Sequence, residues 1–182
     1  MPAGVPGYNQ EIKGLSCDTE LAKRLIYESK YRAPELLQPV VLNTGPRAGT
    51  DARLTLALVD MWKKNLGVDV QIQQTDGDTF YRDLFRRSYQ MYVTGWIADY
   101  PDPQNCLQLL FHSKSVENRG SYSNPEVDRL LDKAESERLL DARLRIYQEV
   151  EKTVVQDAPW IPLYFGKSFY VVKPYVHDYA PE

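Results

Sequence analysis

From Asp18 to about Lys30 the apolar residues Leu21, Ala22, Leu25 and Ile26 recur at helical spacing. Asp18 stands where a cap belongs. A Pro-containing stretch, Ala33 to Pro39, follows, and Val40-Val41-Leu42 then reads as a short buried strand ended by a turn at Asn43-Thr44-Gly45-Pro46. Asp51 starts a second helix, with Leu54, Leu58, Met61, Trp62 and Leu66 on one face and Gly67 at the left-handed cap position. Val68, Val70 and Ile72 alternate with Asp69, Gln71 and Gln73, the period of a half-buried strand. Strand, helix and strand over about thirty residues make a βαβ unit, hence a parallel pair with a right-handed crossover.

The pattern continues past the turn and N-cap at Asp76-Gly77-Asp78. Phe80, Tyr81, Leu84 and Phe85 predict a short amphipathic helix, and Met91 to Trp96 a third strand. Ile97 to Gln104 is a loop stiffened by Pro101 and Pro103, with Tyr100 and Asp102 extended because each precedes a proline. Leu107, Leu110 and Phe111 mark a short helix, and Asn124-Pro125 opens another with Leu130, Leu131 and Ala134 inward. A long helix from about Asp141 to Gln156 carries Leu144, Tyr147, Val150, Val154 and Val155 and stops at Ala158-Pro159. Trp160 to Phe165 and Phe169 to Val172, around Gly166-Lys167-Ser168, read as a strand pair with a tight turn. The expected class is α/β, a mixed but mainly parallel sheet of about five strands flanked by helices.

Composition narrows the function classes. The 182 residues are 43% hydrophobic and 26% charged, ordinary for a globular domain, and the net charge of -3 argues against a nucleic-acid surface. Lys63-Lys64 and Arg86-Arg87 read as solvated helix faces. Cys17 and Cys106 fit either a long-range disulfide or two separate thiols. No apolar run approaches a bilayer crossing, and Met1 to Gly7 lacks the apolar core of a signal peptide. An exported form of this sequence is therefore expected to be a fragment or a processed chain.

Chemistry is sparse. His112 and His177 are the only histidines; both read as polar surface residues, with no motif-spaced nucleophile and no G-x-S-x-G. Walker and G-x-G-x-x-G loops are absent. Asp76-Gly77-Asp78 lacks the later ligands of a calcium loop. Asp99 and Asp102 could share a hard cation or serve a hydrolase; ordinary loop aspartates are the alternative, preferred for Asp102, and no second acidic element supports glycosidase chemistry. What remains is Gly95-Trp96-Ile97-Ala98-Asp99-Tyr100-Pro101-Asp102-Pro103, directly after a predicted strand, where open α/β sheets bind ligands. Trp96 and Tyr100 offer ring faces, and Asp99 offers a carboxylate to a cation, a contact worth roughly 1.5–3 kcal/mol when shielded from water. On residue types and spacing alone, a core Trp96 and a turn-shaping Asp99 are the preferred account of the segment.

At this segment the chain resembles the family 5 extracellular solute-binding proteins, the oligopeptide-, dipeptide- and nickel-binding components of ABC importers. Gly95, Trp96, Ala98, Asp99, Tyr100, Asp102 and Pro103 match the family pattern G-W-x-A-D-Y-x-D-P. Further matches run in order along the chain. They are Pro6-Gly7-Tyr8; Asp18 with Ala22, Leu25 and Tyr31; Trp62 to Val68; Tyr122 to Pro125 with Asp128 and Leu131; Arg143 with Tyr147 and Glu151; Asp157 to Pro159; Ile161 to Tyr164; and Lys173 to Val176.

The resemblance implies a type II periplasmic-binding-protein fold, with residues 1–182 as the C-terminal ligand-binding lobe (lobe II) and the first lobe outside the chain. It implies a binding component rather than an enzyme, taking peptides without a cofactor, monomeric, handing its ligand to an ABC permease. The expected location is periplasmic or extracellular, with a lipid anchor through the missing N-terminus. A nickel chelate, haem or sugar is the alternative ligand; a hydrolase using Asp99 and Asp102, or a freestanding regulatory domain, is the alternative role. By resemblance Asp99 meets the ligand's α-amino group and Trp96 borders the pocket. Arg86 resembles a basic position lining the cleft, whereas Val93 stands where some oligopeptide binders have an arginine.

Overall fold

The computed structural model describes residues 1–37, 39–46, 48–166 and 169–179, with 48–52 as helical backbone alone. Its elements are α1 (Thr19–Glu28), β1 (Val40–Thr44), α2 (Ala48–Leu66), β2 (Val70–Gln74), α3 (Gly77–Phe85), β3 (Met91–Val93), α4 (Pro103–Cys106), α5 (Gln108–Phe111), α6 (Pro125–Ser136) and α7 (Leu140–Asp157), with a 3-10 turn at Pro34–Leu36.

Capping chemistry fixes most of the helix starts. Asp18 accepts from the Leu21 amide and Asp76 from the Thr79 amide, at 2.8 and 2.9 Å. Asn124 accepts from the Glu126 and Val127 amides, with Pro125 in the first turn of α6. Gly67 closes α2 at φ +71°, its amide donating to the Lys63 carbonyl, a conformation that disfavours side chains. Gly45, just after β1, lets the buried Phe80 close in: a Cβ there would lie 3.1 Å from the ring.

Among the described residues the sheet has three strands in the order β2-β1-β3. β1 pairs parallel with β2 (Leu42 opposite Ile72) and with β3 (Leu42 opposite Met91), so the predicted βαβ pairing is present. Several boundaries differ from expectation. Asn43 and Thr44 are buried strand residues, not a turn. α2 begins at Ala48, ahead of Asp51, and β3 stops at Val93, well before Trp96.

The larger correction is at the end of the chain. Neither 160–166 nor 169–172 forms a strand; the intervening Lys167 and Ser168 lie outside the described residues. Among the described residues the sheet is therefore purely parallel and smaller than the mixed one expected. Phe169 and Val171 are 87% and 97% exposed, so the second part of the apolar run gains little burial to order it as a strand. An isolated strand pair has too little burial to stand alone in water.

The core sits in the second half, where α6 packs on α7. Leu107, Leu110 and Phe111 join Val127, Leu130, Leu131 and Ala134 of α6 and Ile146, Tyr147, Val150 and Val154 of α7, with Trp96, Tyr122 and Trp160 packed at the margin. α1 contacts α2 but buries no residue fully, and its predicted stripe is half in solvent, with Leu21 and Leu25 exposed.

Candidate functional site

In the order β2-β1-β3 the connection from β1 to β2 runs one way along the sheet and that from β2 to β3 returns the other way past β1, so the carboxyl ends of β1 and β3 flank a topological switch point. The segment Thr94 to Asp102 leaves β3 there. Its start lines a shallow crevice with Tyr92, Leu110, Glu117, Arg119 and Trp160, to which Thr94, Gly95 and Trp96 contribute.

Two anchors hold the loop. Trp96 is half-buried against the core, and its Nε1 donates to Oδ1 of the fully buried Asn105 at 2.8 Å. At the other end Asp102 is extended, as its place before Pro103 predicts, and caps α4 by accepting from the Gln104 amide at 2.8 Å. Arg143 of α7 donates to both of its oxygens, at 2.7 and 2.8 Å. This hydrogen bonding holds the Asp102 carboxyl below its usual pKa against the opposing effect of burial, and it raises that of Arg143. The guanidinium also lies 5.0 Å from the ring centre of Tyr147, which is 0% exposed.

Between the anchors, Asp99 is exposed, and none of the hydrogen bonds or ion pairs among the described residues reaches its carboxylate. Tyr100 is exposed, with its hydroxyl bonded to Gln104. The structure thus brings Trp96, Asp99 and Tyr100 onto one loop and turns Asp102 away from that role. Arg86 caps the end of α3 and is exposed, with no side-chain bond to this loop among the described residues.

The histidine reading needs correcting in part. His112 is buried, its Nδ1 accepting from the Lys114 amide at 3.1 Å and its Nε2 facing Asp132 at 3.2 Å; His177 is exposed. Burial of His112 follows from its place directly after α5, whose Leu110 and Phe111 are core. Both cysteines are free thiols, Cys17 exposed and Cys106 half-buried. Arg143, Asn105 and Arg119 were not singled out as site residues by the sequence. Neither Asn105, nine residues beyond Trp96, nor Arg143, forty-one beyond Asp102, was marked by a local signal as a partner.

The model for bacterial extracellular solute-binding proteins, family 5 (middle section), matches residues 1–118. The chain belongs to that family. The periplasmic murein peptide-binding protein MppA of Escherichia coli K12 is 32% identical to this family 5 chain over 159 residues, covering 87% of the chain and 29% of the relative. The periplasmic oligopeptide-binding protein OppA of the same organism is 29% identical over 177 residues, covering 96% of the chain and 31% of the relative. Among solved structures, the murein tripeptide binding protein MppA of Escherichia coli superposes with a TM-score of 0.77 at 27% identity, over 87% of this chain and 31% of that one. The chain therefore spans about a third of the length of the relatives it matches. No helix among the described residues is long and apolar enough to cross a membrane.

Proposed function

We propose that these residues form the C-terminal ligand-binding lobe of a two-lobed solute-binding protein that serves an ABC importer and takes peptides in the cleft between its lobes. The other lobe would come from sequence outside the 182 residues, in keeping with the share of the relatives that the chain spans. The observation that carries the reading is the exposed Asp99 carboxylate, unpartnered within the described chain, on a loop braced at both ends beside the sheet's switch point. A peptide's α-ammonium is its natural complement, and Trp96 and Tyr100 flank it with ring surface. Relatives named for murein peptides and oligopeptides support the ligand class. Gly95 adds to this: a Cβ there would meet nothing within 4 Å, so internal packing does not demand a glycine, whereas close approach of a ligand backbone would.

A hydrolase using the pair would need both carboxyls free to reach substrate or water. Asp102 instead spends its oxygens on Arg143 and the Gln104 amide, which favours the binding role over the catalytic one. In the proposed cycle ligand binds one lobe, the lobes close on it, and the closed form docks on the permease, in the periplasm or at the cell surface under a lipid anchor. Closure buries the ligand from both sides, so one lobe supplies about half of the contacts and excludes little water. Calorimetry with a mixed pool of di- to pentapeptides tests this. The full polypeptide in which this sequence is encoded is expected to bind at least about 100-fold more tightly than the 182-residue chain. Equal affinity in the two would remove the shared cleft from the account.

A further inference from the structure

We infer that Arg143 is a positioning residue for ligand recognition, setting the Asp99 carboxylate in place through Asp102 without touching the ligand itself. The inference rests on the peptide-binding reading of Asp99. From 97 to 101 the side-chain tie to the body is Tyr100 with Gln104, and Asp99 lies in the middle of that span. The direction of its carboxylate is thus decided by how firmly the ends are held. At the front end Trp96 is fixed by Asn105.

At the rear end Asp102 holds the loop alongside the Tyr100–Gln104 bond. Its amide donates to the Tyr100 carbonyl at 2.9 Å, closing a tight turn across Pro101. Its two oxygens tie that turn to the first turn of α4 and to α7 at once. Arg143 is suited to the task because its fork grips both oxygens and fixes rotation of the carboxylate as well as its distance, which a single ammonium cannot. The fork is itself seated on Tyr147, inside the core. With side chains only 21% and 32% exposed, Arg143 and Asp102 are occupied with each other and are not presented to a ligand. Pro101, the one proline between them, then transmits the orientation of Asp102 toward Asp99. Recognition sites lose precision when such supporting contacts go, even with every contacting residue still present.

The rival account is that Arg143 only welds α4 to α7. That role predicts a loss of stability and an equal loss for every ligand. Positioning predicts a selective loss, confined to ligands that use Asp99. The test is calorimetry of the full polypeptide with a pool of free-amine tripeptides and the same pool N-acetylated. The wild-type protein is expected to prefer the free amines, and Asp99→Asn to abolish the preference. Arg143→Ala should cut the preference about tenfold while affinity for the acetylated pool stays within about twofold. Asp102→Asn should act alike, and the double variant should lose nothing further, because both residues belong to one device. If Arg143→Ala does not fold, Arg143→Lys takes its place with a loss of about threefold, since it keeps the charge and loses the fork. No preference in the wild-type protein, or a preference that survives Asp99→Asn, would defeat the binding reading and this inference with it. A preference abolished by Asp99→Asn, with both pools weakened equally or not at all by the Arg143 and Asp102 variants, would overturn this inference alone.

Discussion

Arg143 lowers the pKa of Asp102 chiefly by donating to both of its oxygens; burial opposes this, and the Gln104 amide adds to it. A carboxylate whose folded pKa lies below its unfolded one, about 3.9, stabilises the protein above that value and ceases to as pH falls through the folded pKa. Thermal unfolding of wild type and Asp102→Asn should therefore differ by about 1–3 kcal/mol at neutral pH, less than for a fully buried pair because both groups keep some contact with water. The gap should close below about pH 4. A gap independent of pH would contradict the assignment. At this scale the sequence was informative where chemistry is local. Asp18, Asp76 and Asn124 cap helices because the amides they serve lie two or three residues on. It was uninformative for Asp102, whose partner is brought in by the packing of α4 on α7, and for His112, whose burial depends on the way α5 faces the core.

Elements that carry their own stabilisation were the ones legible in the pattern. α6 and α7 show apolar residues at helical spacing and bury them on each other, and Ala158, at φ 48°, ends α7 just before the proline that the sequence offered as its stop. Their ends are also joined: Tyr122 and Asn124 both donate to Asp157 Oδ2, at 2.6 and 2.8 Å. Asn124→Ala removes that bond and the cap together and should lower stability by about 1–2 kcal/mol in urea unfolding. No change in the midpoint would show that the cap contributes nothing. The strand pair at 160–172 was misread for the opposite reason. Its residues have the apolar, β-branched and aromatic character of strands, but a strand exists through its neighbours, and the pattern does not record whether a neighbour is present. Hydrogen exchange of this chain should find the amides of 169–172 unprotected while those of α7 exchange slowly. Slow exchange in 169–172 would mean that a strand does form there.

For the whole molecule, the parallel pairing of β1 with β3 sets their carboxyl ends side by side, and the loop that leaves β3 there carries an exposed carboxylate. The parallel pairing was readable because helix and strand periods alternate over the right lengths; the extent of the sheet was not, since it depends on chain pairing at a distance. On the proposed reading, this edge is one wall of a cleft between two lobes. The central claim is that Asp99 receives a peptide's terminal ammonium. Its most direct measurement is the affinity of the full polypeptide for one tripeptide with its amine free and then acetylated, in wild type and in Asp99→Asn. The account predicts a free-amine preference of about tenfold or more in the wild type, falling to near parity in the variant. Equal affinities in the wild type, or an undiminished preference without the charge at position 99, would contradict it.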